Sequence, residues 1–119
     1  MKFHIFLSVI FIYFFNIVPL SAQDFDKATK AYQAADYVTA INEFKLLAKQ
    51  GNSFAQNNLG YFYTNGIGGP IDYPQAFKWY KMSAEQGYAY AQLALGNAYL
   101  YGNGVQQNDI MAYTWFQLA

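Results

Sequence analysis

The feature that most constrains the fold of this chain is a sequence repeat with a period of 36 residues. Residues 51–83 align with residues 87–119 without insertion or deletion. The matching pairs are Gly51 and Gly87, Ala55 and Ala91, Leu59 and Leu95, Gly60 and Gly96, Tyr63 and Tyr99, Gly66 and Gly102, Gly68 and Gly104, Ala76 and Ala112, Trp79 and Trp115, and Tyr80 and Phe116. A fixed period of this length indicates supersecondary units that stack and bury their apolar faces against one another.

Each unit has the pattern of two amphipathic helices. Ala55, Leu59 and Tyr63 recur at i, i+4 and i+8, which places them on one helical face. A second apolar stripe follows Asp72, which has Gln75 three residues after it, the spacing of a capping box. The repeat therefore predicts a helix pair in every unit.

Paired glycines separate the two predicted helices, in YTNGIGG at 63–69 and in YLYGNGV at 99–105. Gly66 and Gly102 stand where the first helix must end and the chain must turn back, so we expect both to have a positive φ. A phosphate-binding loop would need a preceding strand and a Lys followed by Ser or Thr, and neither is present.

Two further glycines, Gly60 and Gly96, lie inside the first helices. A glycine in a helix interior costs about 1 kcal/mol relative to alanine. Its recurrence predicts a close approach by a neighbouring helix.

These residues resemble a known family. AQNNLGYFYTNGIGGPIDYPQAFKWYKMSAEQG and AQLALGNAYLYGNGVQQNDIMAYTWFQLA look like consecutive Sel1-like repeats over 51–86 and 87–119, the second of them incomplete. KAYQAADYVTAINEFKLLAKQG, within 23–50, resembles the related tetratricopeptide repeat, with a tighter turn at Asp36 and no glycine loop. The resemblance implies an all-α fold, an α-solenoid of antiparallel helix pairs with about six helices, which acts as a protein-interaction scaffold.

The N-terminal residues 1–22 have the layout of a signal peptide. Lys2 is followed by an apolar run, by Pro19 and by the small residues Ser21 and Ala22. The run is shorter than the roughly 20 residues that span a bilayer. We expect cleavage after Ala22 and a periplasmic or secreted protein; the alternative is a scaffold tethered to the inner membrane by an uncleaved segment.

The composition of residues 23–119 restricts the chemistry of the protein. This part contains no histidine, cysteine or arginine, because His4 is the only histidine and the whole chain has no cysteine. It therefore predicts no enzyme with a Ser–His or Cys–His nucleophile, no metal site and no cofactor. The near-neutral charge argues against nucleic acid as a partner. A weak carboxylate-dependent hydrolase and carbohydrate binding stay open, the latter through Tyr61, Tyr88, Tyr90 and Tyr101.

The predicted partner is another polypeptide, bound on the concave face. By the geometry of the related tetratricopeptide repeats, that face takes the residues between the core positions of each first helix. These residues are Asp26, Lys30, Gln33, Asn57, Tyr61, Thr64, Leu93, Asn97 and Leu100. Asparagine offers donors and acceptors to a peptide backbone, and Tyr61 and Leu93 offer apolar contact.

The last predicted helix, IMAYTWFQLA, brings several apolar side chains to the C-terminal end. Terminal repeats need a polar outer face to stay soluble. We therefore expect the chain to self-associate through this end or to fray there.

Overall fold

The computed structural model of the chain describes residues 20–119 as six α-helices, with no strand among these residues. The helices are α1 (Leu20–Gln33), α2 (Tyr37–Lys49), α3 (Ser53–Asn65), α4 (Tyr73–Glu85), α5 (Ala89–Tyr101) and α6 (Asp109–Leu118). Each helix packs on the next one along the chain, so that α1 and α2, α3 and α4, and α5 and α6 form three successive antiparallel pairs. The prediction of an all-α solenoid is confirmed.

Side-chain caps begin four of the six helices. The carboxylates of Asp36 and Asp72 accept hydrogen bonds from the amides of the third residue beyond them, at 3.2 and 3.1 Å. The side-chain oxygens of Asn52 and Asn108 do the same at 2.9 and 3.0 Å. These caps satisfy amides that a helix start leaves without a partner, which is why the capping-box spacing at Asp72 predicted the start of α4 correctly.

The glycine loops end the first helices as predicted. Gly66 and Gly102 cap α3 and α5 with φ values of 65° and 69°. Both loops then close with equivalent hydrogen bonds, from Asp72 N to Tyr63 O and from Asn108 N to Tyr99 O, each 2.9 Å long. The two units therefore return their chains along the same path, although residues 69–71 and 105–107 differ in sequence.

The interior glycines mark a close helix contact, also as predicted. A Cβ on Gly60 would lie 2.6 Å from Cδ1 of Tyr80, and one on Gly96 would lie 2.5 Å from Cε1 of Phe116. The approaching ring in each case comes from the second helix of the same unit. Each glycine thus lets an aromatic ring rest on the backbone of the first helix.

The first helix pair turns without a glycine. Only three residues separate α1 from α2, whereas seven separate α3 from α4. Ala35 takes the left-handed conformation with φ of 59°, and Asp36 then caps α2. This is the tighter turn expected of a tetratricopeptide-like unit.

The predicted signal peptide, 1–22, lies for the most part outside the described residues, which begin with α1 at Leu20. None of the helices in the described part of the chain is both long and apolar enough to cross a membrane.

Two buried glutamines, one per repeat, join successive units. The Nε2 atoms of Gln56 and Gln92 donate to the carbonyls of Ala48 and Ala84 at 3.0 and 3.2 Å. Gln86 Nε2 also donates to Gln56 Oε1 at 2.7 Å. The bonds from Gln56 and Gln92 join the first helix of a unit to the second helix of the preceding unit. The bond between Gln86 and Gln56 lies within one unit.

Candidate interaction groove

Three adjoining depressions run along the surface formed by α1, α3 and α5, and together we call them the first-helix groove. The α1–α3 depression has a volume of about 210 Å³, the middle depression about 420 Å³ and the loop-side depression about 250 Å³. Tyr61 on α3 lines all three. The groove therefore spans successive units, with Tyr61 at its centre.

The middle depression lies between α3 and α5. Its lining residues are Asn57, Asn58, Tyr61, Tyr80, Tyr90, Leu93, Ala94 and Asn97. Tyr61 is 47% exposed and Tyr90 is 72% exposed, so both rings are open to solvent. Aromatic rings with neighbouring amide groups can stack on a ligand and hydrogen-bond to it.

Ring contacts between units position the aromatic edge of the groove. Phe25 on α1 packs on Phe54 at the start of α3, with ring centroids 5.2 Å apart. Phe54 meets Tyr88 at 6.2 Å, and Tyr88 meets Tyr90 at 5.9 Å. On the other side of the α1–α3 depression, Tyr32 stacks on Phe62 at 5.7 Å.

Tyr80 forms the floor shared by the middle and loop-side depressions. Its ring reaches this position because Gly60 has no side chain to displace it. Its phenol is protonated near neutral pH and can donate a hydrogen bond, and burial raises its pKa further above the usual 10.0. Thr64 lies at the same place and donates from Oγ1 to the carbonyl of Gly60 at 2.8 Å.

All the side chains that line the groove in the described part of the chain are formally neutral. The ion pairs lie elsewhere, between Asp26 and Lys30 and between Lys27 and Glu43, each 2.8 Å long. Hydrogen bonding to Asp26 and its negative charge raise the pKa of Lys30 above its usual 10.5. The electrostatics of the groove are therefore those of tyrosine hydroxyls and asparagine amides.

The structure brings together five of the nine residues predicted for the inner face. Asn57, Tyr61, Thr64, Leu93 and Asn97 all line the middle or loop-side depression.

The other four lie apart from the three depressions. Asp26 and Lys30 pair with each other on the exposed side of α1, Gln33 is exposed as the last residue of α1, and Leu100 is half-buried near the end of α5. Their role in binding stays a prediction.

Sequence reasoning missed several groove residues. Tyr32, Phe54 and Asn58 line the α1–α3 depression, and Tyr80, which the sequence showed only as a repeated position, lines the other two. The period of the repeat would have pointed to Phe54, because its equivalent is Tyr90, one of the tyrosines considered for carbohydrate binding. Nothing in the local sequence indicates that a core residue such as Tyr80 also reaches the surface.

The four tyrosines singled out for carbohydrate binding divide into two groups. Tyr61 and Tyr90 lie in the middle depression. Tyr88 is half-buried, and its ring contacts Phe54 and Tyr90. Tyr101, at the end of α5, lines none of the three depressions.

Most carboxylates of the described part of the chain have structural roles. Asp36 and Asp72 cap helices, Glu43 pairs with Lys27 at 2.8 Å, and Glu85 lies 4.0 Å from Lys81. No group of three or more His, Asp or Glu side chains there could hold a metal ion.

The comparisons with known proteins agree with the repeat pattern. A family model described as Sel1 repeat matches residues 53–88 and 89–119, which is more than half of the chain. The chain belongs to the Sel1 repeat family. Sel1 repeats generally act as protein-interaction scaffolds and are typically non-catalytic. No curated protein matched the chain.

Two solved Sel1-type structures are similar to this protein. One is a protective antigen present in uropathogenic Escherichia coli strains, displaying an SLR fold, with 36% identity and a TM-score of 0.68 over 69% of this chain. The other is a Sel1 repeat protein from Oxalobacter formigenes, with 35% identity and a TM-score of 0.71 over 76% of this chain. The alignments cover only 18% and 37% of those proteins, so the likeness concerns a few repeats.

Proposed function

We propose that this protein is an exported, non-enzymatic scaffold that binds another polypeptide along the first-helix groove. The observation that carries the proposal is the run of exposed aromatic and amide side chains across α1, α3 and α5. Stacked helix pairs present an extended surface whose exposed positions can vary without disturbing the core. Membership of the Sel1 repeat family supports the same role.

The residues of the middle depression suit recognition of a peptide. Tyrosine provides large contact area at a low cost in conformational entropy, and asparagine adapts its amide to donors or acceptors. Tyr61, at the centre of the groove, can contact a ligand on either side of α3. Central aromatic residues commonly supply most of the binding free energy of an interface.

The absence of a catalytic apparatus in residues 23–119 supports a binding role. This segment has no histidine, cysteine or arginine. The groove residues that the structure describes include no carboxylate to act as a general acid or nucleophile. A hydrolase would need at least one such group beside its substrate.

Export is proposed from the N-terminal pattern alone. Mass spectrometry of the protein recovered from its producing cells tests it: an N-terminus at Gln23 is expected. An N-terminus at Met1 in the membrane fraction would favour the tethered alternative.

Site-specific photo-crosslinking tests the interaction groove. A photoreactive phenylalanine analogue replaces Tyr61 in one variant and Tyr101, which lies outside the groove, in a matched control. We expect polypeptide adducts from position 61 only. Equal adducts at both positions would contradict the proposal.

A capture experiment complements the crosslinking. The combined variant Asn57→Ala, Tyr61→Ala and Asn97→Ala should lose the crosslinked partner while keeping its helicity and melting temperature, because none of these side chains belongs to the buried core. Asn42→Ala with Tyr101→Ala, both at exposed positions away from the groove, is the control and should retain the partner.

Carbohydrate binding is a second candidate, favoured by one observation. The rings of Tyr61 and Tyr90 both border the middle depression and are open to solvent. Two such rings can stack on sugar rings, and the neighbouring asparagines can bond to hydroxyls. Binding of a neutral oligosaccharide that Tyr90→Ala abolishes would support this candidate over the first.

A further inference from the structure

We infer that the first-helix groove recognises an uncharged, proline-containing peptide segment in the polyproline II conformation. This inference rests on the proposed function, because it names the chemistry of the polypeptide that the same groove would bind. Three properties of the groove carry it: its charge, the type of its exposed side chains, and its supply of hydrogen-bond donors.

The charge of the groove selects against ionised ligands. Every lining side chain that the structure describes is formally neutral. A ligand carboxylate or ammonium placed among Tyr61, Tyr80 and Tyr90 would lose hydration without gaining an ionic partner, which is costly. The bound segment is therefore expected to be uncharged.

The kinds of side chain that line the groove favour a polyproline II segment over a strand or a helix. A peptide strand needs the free edge of a sheet, and the described residues contain no strand. A docked amphipathic helix lays its apolar face into a hydrophobic groove, whereas three of the eight side chains that line the middle depression are asparagines and Leu93 is its only large aliphatic one. Proline-rich segments instead dock into grooves lined by aromatic rings, as this one is.

The hydrogen-bonding groups of the groove match those of a polyproline II chain. Such a chain has no internal hydrogen bonds, and its prolines have no amide proton, so its backbone offers acceptors. Asn57, Asn58 and Asn97 provide amide donors along the groove, and protonated Tyr80 provides a phenolic donor at its floor. The preformed conformation also lowers the entropic cost of binding.

The position of Tyr61 identifies the side chain on which binding should depend most. It stands between the α1–α3 depression and the middle depression and lines both. Successive turns of an extended ligand would pass on either side of its ring. Tyr90 borders only the middle depression and should contribute less.

Isothermal titration with capped decaproline, using the full chain, is the direct test. We expect binding to decaproline and none to a capped neutral Gly-Ser decamer, which matches its length and charge but lacks the preformed conformation. The affinity should change less than about twofold between about 50 mM and about 500 mM NaCl, because no ionic contact is screened. Equal binding to both peptides, or loss of decaproline binding at high salt, would overturn the inference.

Two variants locate the binding in the groove. Tyr61→Ala should weaken decaproline binding by at least about tenfold, as removal of a central aromatic anchor does. Tyr90→Ala, at a side chain too exposed to affect folding, should also weaken it. The matched control is Tyr101→Ala, on the same helix as Tyr90 and 70% exposed, and it should leave the affinity unchanged. An equal effect of Tyr101→Ala would refute the assignment.

The outcomes separate this inference from the proposed function. If decaproline fails to bind while crosslinking from position 61 still traps a polypeptide, the polyproline II inference is wrong and the scaffold proposal stands. If neither occurs and maltohexaose binds instead, both are wrong and the groove is a glycan site. Crosslinking together with Tyr61-dependent decaproline binding supports both.

Discussion

The loop glycine Gly104 offers the sharpest test of how the repeat units are joined. Its φ is 75°, and a Cβ at this position would press on the backbone of Tyr73 and Pro74, 2.5 Å from the Tyr73 carbonyl carbon and 2.8 Å from the Pro74 nitrogen. These residues form the first turn of α4 in the preceding unit. Gly68 makes the equivalent approach one unit earlier, against the side chain of Ile41 and against Tyr37.

Gly102 is the matched control, because it has a similar φ of 69° but enough room for a Cβ. The nearest atom to a Cβ there would lie 3.5 Å away, an ordinary contact. Gly102→Ala should therefore cost about 1 kcal/mol for the left-handed backbone alone. Gly104→Ala should carry the same cost and a further 1–3 kcal/mol, roughly, for the backbone shift that the contact forces.

Thermal unfolding followed by circular dichroism at the helix band measures both changes. For a domain of this size about 1 kcal/mol corresponds to roughly 4–8 °C, so we expect a melting temperature lowered by about 5 °C for Gly102→Ala and by about 15 °C for Gly104→Ala. Equal shifts for the two variants would refute the argument, because they would mean that the loop does not rest on the preceding helix.

Four further predictions concern other parts of the molecule. Ala35→Gly should raise the free energy of unfolding by about 0.5–1 kcal/mol in urea denaturation, because φ of 59° is strained for alanine; an unchanged midpoint would contradict this. Gly60→Ala should lower the free energy of unfolding by about 2 kcal/mol, because displacing the packed Tyr80 ring costs more than the higher helix propensity of alanine contributes. A stabilised variant would show that the ring moves freely. Above pH 10.0 the unfolded chain releases the Tyr80 proton while the folded protein retains it, so the free energy of unfolding falls as pH rises through the raised pKa. Urea denaturation at alkaline pH should show a smaller fall in this free energy for Tyr80→Phe. Exposed apolar side chains on α6 predict concentration-dependent association in sedimentation, and Ile110→Lys with Tyr113→Lys should weaken it; association unaltered in that variant would place the contact elsewhere.

The local architecture of this protein was determined by the sequence itself. A repeat of 36 residues, apolar stripes at helical spacing and caps such as Asp72 predicted the helix pairs, and Gly66 and Gly102 predicted the left-handed helix ends. These features could be predicted because hydrogen bonds and steric limits within a few residues decide them.

The composition of the groove was decided only by the tertiary structure. Sequence reasoning placed Asn57, Tyr61 and Asn97 on the inner face, but it did not reveal that Tyr80 forms the floor of the groove. Nor did it show that Asp26 and Lys30 would lie outside the three depressions.

The contacts between units were likewise beyond local patterns. Phe25 packs on Phe54 of the next unit, and Gly104 rests on Tyr73 of the preceding unit. Such contacts depend on the distance and angle at which one helix pair packs on the next, and many side chains set these together. A periodic sequence states which residues face a neighbouring unit, whereas only the packed chain determines which atoms meet there and which remain open to a ligand.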